Sequence, residues 1–124
     1  MNKSHKESAL DFLSSVASGQ VRKAYELYVG PGFKHHNPYF RGDAASLEEG
    51  MTQNARKNPD KVLEIQAAIE EGDHVAVFSR VRQEPKDKGG AVVHIFRFND
   101  GRIVEFWDIG QPVPEDTVNE NGMF

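Results

Sequence analysis

The segment from Val92 to Asp108 constrains this chain most, because it reads as two β-strands closed by a tight turn at Asn99-Asp100-Gly101. A three-residue hairpin loop suits Asn-Asp-Gly, with Gly101 taking the left-handed conformation that a β-carbon disfavours. That loop length sets the register, since side chains alternate faces along a strand. Val92, His94, Phe96 and Phe98 then share one face with Val104, Phe106 and Asp108, while Ile95, Arg97, Ile103, Glu105 and Trp107 share the other. His94 and Asp108 become neighbours on an otherwise apolar surface. A two-residue loop, Asp100-Gly101, would reverse the pairing and part them, so the pairing depends on the turn.

An imidazole and a carboxylate held together in an apolar cavity alter each other's proton affinity and can move a proton at neutral pH. His94 and Asp108 are therefore the candidate catalytic pair. The plain structural alternative is a core histidine beside a carboxylate that ties down a neighbouring loop.

Composition excludes several other roles. A chain of 124 residues makes one domain, 1–124, large enough for a hydrophobic core. With a net charge of −4 and scattered Lys and Arg, no surface is marked to follow a phosphate backbone, so nucleic acid is not an expected partner. The chain has no cysteine, a polar start from Met1 to Ser8 and no apolar run near the length that spans a bilayer. The expectation is a cytoplasmic protein with no membrane partner.

Helical patterns come first and strands later, which argues for α+β organisation rather than alternation. Ser4 and Glu7 form a capping box, after which Ala9, Phe12, Leu13, Val16 and Ala17 recur at helical spacing until Gly19. Val21, Ala24, Tyr25 and Tyr28 continue as a short second helix, which Gly30-Pro31-Gly32 breaks. Ser46 and Glu49 read as a second capping box for a third helix carrying Leu47, Met51 and Ala55, ended by Asn58-Pro59. From Lys61 the period becomes two, with Leu63, Ile65, Ala67 and Ile69 on one face of a strand. Glu71-Gly72-Asp73 turns it into a strand in which Val75, Val77 and Val81 alternate with Ala76, Phe78 and Arg80. A polar turn, Lys86 to Gly90, leads to the hairpin. Four strands in a meander after three helices make a curved sheet around a helix, with a cavity between them.

Several of these residues carry a resemblance. His36-Asn37-Pro38, Gly72-Asp73 followed by Val75, the run Ile95-Phe96-Arg97-Phe98 with Asp100 to Glu105, and Trp107-Asp108 are similar to motifs of the nuclear transport factor 2-like superfamily. Within it the chain resembles the SnoaL-like branch, whose best-known members are polyketide cyclases performing an intramolecular aldol condensation. The resemblance spans nearly the whole chain. It implies a cone-shaped α+β fold, a curved and mostly antiparallel sheet wrapped around the N-terminal helices, with a deep pocket. It also implies that His94 and Asp108 match a histidine and an aspartate on adjacent strands, the aspartate serving as general acid/base. The chain departs from a bacterial subgroup that carries Asp in place of His94 and His in place of Phe106.

The chemistry this suggests needs no metal and no organic cofactor. Asp108 removes a proton α to the carbonyl of a small apolar substrate, and His94 orients Asp108 or polarises the enolate oxygen. Phe78, Phe96 and Phe106 are expected as the apolar wall of the pocket, with Phe12 of the first helix joining them. In the loop His35 to Phe40, His36 and Asn37 are candidate ligand contacts and Tyr39 a candidate closure of the mouth. The alternative there is structural, with Asn before Pro setting a turn and a histidine capping it. Metal ligation by His35, His36, His74 and His94 is not expected, because adjacent histidines in an extended loop point apart. Arg97 is expected to pair diagonally with Glu105 on the opposite face. There Trp107, Ile95 and Ile103 would anchor a homodimer, the resemblance implying an interface on that face. The functional readings are a cyclase, isomerase or aldol-type lyase, a non-catalytic binder of a small apolar ligand, and a dimeric assembly module.

Overall fold

A computed structural model describes residues 3–124; Met1 and Asn2, the beginning of the polar start, lie outside the described residues. Three helices precede most of a five-stranded sheet: α1 (His5–Ala17), α2 (Val21–Tyr28), β1 (Val29–His35), α3 (Ala44–Lys57), β2 (Val62–Glu71), β3 (His74–Arg82), β4 (Gly90–Asn99) and β5 (Arg102–Pro112). The strand order is β1-β5-β4-β3-β2, antiparallel except for the parallel pair β1 and β5. The expected α+β architecture of N-terminal helices against a curved, mostly antiparallel sheet is present, and the sheet is not closed.

Local chemistry starts the helices. The Ser4–Glu7 capping box satisfies two free amides at the head of α1, a device worth about 1 kcal/mol. For α3 the cap is Asp43, whose carboxylate accepts from the Ser46 amide and hydroxyl. The expected Ser46–Glu49 box is therefore replaced by a cap three residues earlier, and Asn58 ends the helix as expected. Ala9, Phe12 and Leu13 of α1 and Val21, Ala24, Tyr25 and Tyr28 of α2 are buried. They meet Val75, Val77, Phe96, Phe98, Ile103 and Phe106 of the sheet in one core. At its centre the Phe12 ring lies 6.0 Å from Phe96 and 6.1 Å from Phe106, which are 5.2 Å apart. Aromatic pairs at such spacing add about 0.5–1.5 kcal/mol each beyond area burial.

The fifth strand is the element not foreseen. Gly30-Pro31-Gly32 ends α2 but continues as strand β1 along the edge of the sheet. Proline is tolerated on an edge strand. A β-carbon on Gly30 would meet the Arg102 β-carbon at 2.7 Å, so glycine permits this close approach.

Two bulges decide which side chains face inward. The turn between β4 and β5 has two residues, Asp100 and Gly101, with φ of 51° and 75°. Asn99 pairs with Arg102 and Phe98 with Ile103, after which the register shifts, so that Arg97 pairs with Glu105 and His94 with Asp108. Val104 is the extra residue. The expected three-residue loop is thus corrected to a two-residue turn followed by a bulge, and the predicted His94–Asp108 pairing is restored by the bulge. Ile103 moves from the predicted outer face to the core, and Arg97 lies directly opposite Glu105 rather than diagonal to it. In β2 a shift between Ile65 and Ala67 breaks the expected alternation: Ala68 turns toward the core, while Ile69 faces outward and is exposed.

Candidate functional site

A cavity of about 270 Å³ opens between the helices and the inner face of the sheet. Leu13, Val16 and Ala17 of α1, Leu47, Gly50 and Met51 of α3, and Leu63, Val81 and Val92 of the sheet line it with apolar atoms. The polar contribution comes from Asn37, Asn54, Lys61, Gln83, His94 and Asp108. Phe40 stands at its edge, its ring held close to the α3 backbone because Gly50 has no side chain.

His94 and Asp108 project into this cavity from adjacent strands, with His94 Nε2 3.4 Å from Asp108 Oδ1. The His94 ring stacks on Phe106 at 5.4 Å. Among the described residues its Nδ1 is buried without a hydrogen-bond partner. The tautomer with its proton on Nε2, facing the carboxylate, leaves only an acceptor unpaired there. On the other side of the carboxylate, Asn37 Nδ2 donates to Asp108 Oδ2 at 2.9 Å. Burial pushes the Asp108 carboxyl up, but His94, the Asn37 amide and the charge of Lys61 outweigh it, and its pKa lies below the ordinary carboxylate value. Asp108 is therefore ionised at neutral pH.

The loop that delivers Asn37 is built by its neighbours. His35 points inward, where its Nε2 donates to the Arg41 carbonyl at 2.5 Å and its Nδ1 accepts from the Asn37 amide at 3.1 Å. Asn37 Oδ1 accepts from the Tyr39 amide at 3.0 Å, the side-chain-to-backbone bond that favours Asn in turns. One asparagine thus shapes the loop with its oxygen and holds Asp108 with its nitrogen.

The other expected pocket residues lie elsewhere. His36 faces outward, with Nε2 donating to Glu105 Oε2 at 2.6 Å and its ring stacked on Trp107 at 5.0 Å. Tyr39 is 86% exposed and closes nothing; Phe40 holds the edge instead. Phe12, Phe96 and Phe106 are buried in the core beneath the cavity rather than lining it. Phe78 sits on the outer face of β3, stacked on Phe124, because the alternation that points Val77 inward points Phe78 out. Asn37, His94 and Asp108 are the predicted residues that the fold brings together at the cavity. Lys61, Asn54 and Gln83 were missed. Lys61 stands immediately before β2, and the turn after α3, where its amide donates to the Asn58 carbonyl, brings it beside Asn54. Among the described residues, no group of three or more His, Cys, Asp or Glu is arranged to hold a metal ion, and no helix is long and apolar enough to cross a membrane.

Helices against a curved, unclosed sheet with a cavity between them define this as a nuclear transport factor 2-like fold. The SnoaL-like domain family matches residues 9–106, and the chain belongs to that family. Solved structures agree on the fold. AclR of Streptomyces galilaeus, proposed to be a hydroxylase, is similar at 21% identity with a TM-score of 0.73, over 86% of this chain and 88% of its own. An NTF2-like protein of unknown function from Cytophaga hutchinsonii is 15% identical with a TM-score of 0.72, over 90% of this chain and 94% of its own. A SnoaL-like protein of unknown function from Burkholderia thailandensis is 18% identical with a TM-score of 0.70, covering 90% of this chain and 98% of its own. No curated protein matches the sequence.

Proposed function

We propose that this protein is a cofactor-independent acid/base enzyme acting on a small carbonyl compound, with Asp108 as the base. One observation carries the reading: at the wall of a largely apolar cavity, a carboxylate partly shielded from water accepts from the Asn37 amide on one oxygen and faces the His94 ring at 3.4 Å with the other. In the step proposed, Asp108 takes the proton α to the carbonyl and the C–H electron pair becomes the enolate. The protonated Asp108 then returns the proton at the same or another carbon, or the enolate carbon attacks a second carbonyl in an aldol closure, whose C=O π pair becomes an alkoxide that takes the proton back from Asp108. His94 and Asn37 orient the carboxylate and are positioning residues. The low proton affinity of Asp108 keeps it unprotonated at working pH, so the transition state relies on donors to the enolate oxygen rather than on a strong base.

The test is α-proton exchange. A panel of small ketones in deuterated buffer, followed by proton NMR, should lose α-protons faster with wild-type protein than with buffer, and Asp108→Asn should return the rate to the buffer value. Exchange that survives in Asp108→Asn removes Asp108 from the chemistry. Ligand binding without exchange would leave a binding protein, the alternative function. The open cavity weighs against a role in assembly alone, for which a filled interior would be expected.

We also propose that two copies associate through the outer sheet face. Ile69 and Ile109 are exposed there, and Phe78, Val93 and Ile109 line a shallow hollow that the chain's own Met123 partly covers. Ile103, now in the core, is not part of that surface.

A further inference from the structure

Beyond the Asp108 cluster the cavity wall carries a second charged group. Lys61 Nζ donates to Asn54 Oδ1 at 2.6 Å, and both residues line the cavity. An ammonium has three donors, and among the described residues Asn54 is the acceptor found for one of them. Burial disfavours the charged form of Lys61 and lowers its pKa, while Asp108 favours the charge through space only. The two oxygens of Asp108 are directed elsewhere, toward His94 and Asn37. Charges withdrawn from water are ordinarily paired. Here the side-chain acceptor the cation meets among the described residues is a neutral amide, and Lys61 itself lines the cavity.

We propose that Lys61 anchors an anionic end of the ligand, so that the cavity selects carbonyl compounds that also bear a carboxylate, keto acids over neutral ketones. The inference rests on the reading of the cavity as a carbonyl site and names its substrate class. The ligand carboxylate accepts from Lys61 Nζ, the apolar body lies against Leu13, Val16 and Leu63, and the carbonyl end reaches Asp108. Repulsion by the Asp108 carboxylate disfavours the reversed orientation, so the two charges also fix the direction of binding. A neutral ketone of the same shape leaves the ammonium partly desolvated and unpaired, and discrimination follows from that loss.

The experiment compares 3-benzoylpropionate, an aryl keto acid, with butyrophenone, a neutral aryl ketone, by titrating the isotopically labelled full chain and following the amides of Asn37, Lys61, His94 and Asp108. The keto acid should bind about tenfold tighter or more, a difference of about 1.4 kcal/mol. Lys61→Met should remove that preference and Lys61→Arg should keep it. If methionine at this position prevents folding, Lys61→Gln replaces it, keeping a polar side chain without the charge. Equal affinity for the two ligands in the wild type, or a preference that survives loss of the charge, overturns the anchor. Butyrophenone shifting the Asn37 and Asp108 amides with no gain from the carboxylate overturns this inference and leaves the carbonyl site standing. If neither ligand disturbs the cavity residues, both readings fall.

Discussion

Replacing Asn37 by leucine removes the amide that holds Asp108 while keeping a side chain of similar size, and the structure sets the expected cost. A hydrogen bond to a charged group contributes about 1.5–3 kcal/mol. The Asp108 side chain is 26% exposed, so water screens the bond and the lower figure, about 1.5 kcal/mol, applies. Asn37→Leu also loses the acceptor for the Tyr39 amide, a neutral bond worth about 1 kcal/mol. The single variant should lose about 2.5 kcal/mol. With a urea slope of about 1.5 kcal/mol per molar, its unfolding midpoint should fall by roughly 1.7 M. A double-mutant cycle with Asp108→Leu separates the two bonds, and the coupling at about pH 7 should be close to 1.5 kcal/mol. Folding lowers the Asp108 pKa below its ordinary 3.8, so the folded state binds this proton more weakly than the unfolded chain. The stabilisation is therefore complete above that ordinary value and is lost as pH falls through the lower folded value. Coupling measured by urea unfolding from about pH 7 down to about pH 3 should shrink toward the acid end. A coupling under about 0.5 kcal/mol at neutral pH, or one that grows on acidification, would refute the assignment of Asn37 as the holder of an ionised Asp108.

Other outcomes follow from particular contacts. Leu47→Ala, at a position 1% exposed, should cost about 2–5 kcal/mol in denaturant unfolding; a loss under 1 kcal/mol would mean that α3 is not docked as described. Gly50→Ala would place a methyl group 2.4 Å from the Phe40 ring. That ring is free to move at the cavity edge, and the helix gains up to about 1 kcal/mol in propensity, so stability should hold while ligand affinity changes. Gly89→Ala combines a positive φ of 78° with a contact of 2.2 Å to the Val81 carbonyl oxygen. It should destabilise by more than about 1 kcal/mol, as read by thermal unfolding. Light scattering on the wild type should give the mass of two chains, and the double substitution Ile69→Lys with Ile109→Lys should give the mass of one; a monomeric wild type ends the dimer proposal.

The helices were legible because their signals are local. Ser4 with Glu7, the spacing from Ala9 to Ala17, and the Asn58-Pro59 stop act within a turn or two of chain, and each appears where the pattern placed it. The strands β2 to β5 were legible as segments for the same reason, since alternation and turn residues are short-range properties. Membership of a residue in a strand and its place on a face are different matters. Ile103 and Phe106 are both buried although they stand three apart, which strict alternation forbids and a bulge at Val104 allows. Without that bulge the Asp100-Gly101 turn would direct Glu105 and Trp107 into the core and Phe106 and Asp108 out of it. Glu105 is shielded on the outer face but paired there with His36 and Arg97; turned into the apolar core it would lose both partners, which costs far more than a local break in the ladder.

The amino-acid sequence by itself determined the three helices, four of the strands and the family; the pairing of His94 with Asp108 rested on the bulge at Val104. Tertiary structure decided the rest. Strand β1 exists because an edge of β5, some seventy residues away in the chain, offers it a parallel partner. Phe12, Phe96 and Phe106 became core rather than pocket because α1 sets Phe12 directly on the two sheet rings, while the cavity opens beside them, between α1, α3 and the sheet at His94. Asn37 and Lys61 stand in a loop and a helix-end turn whose signals are legible in the sequence, but which way those turns carry their side chains, toward Asp108 and the cavity, was not. Periodicity reports which residues avoid water; which of them then touch is settled only when distant segments compete for the same volume.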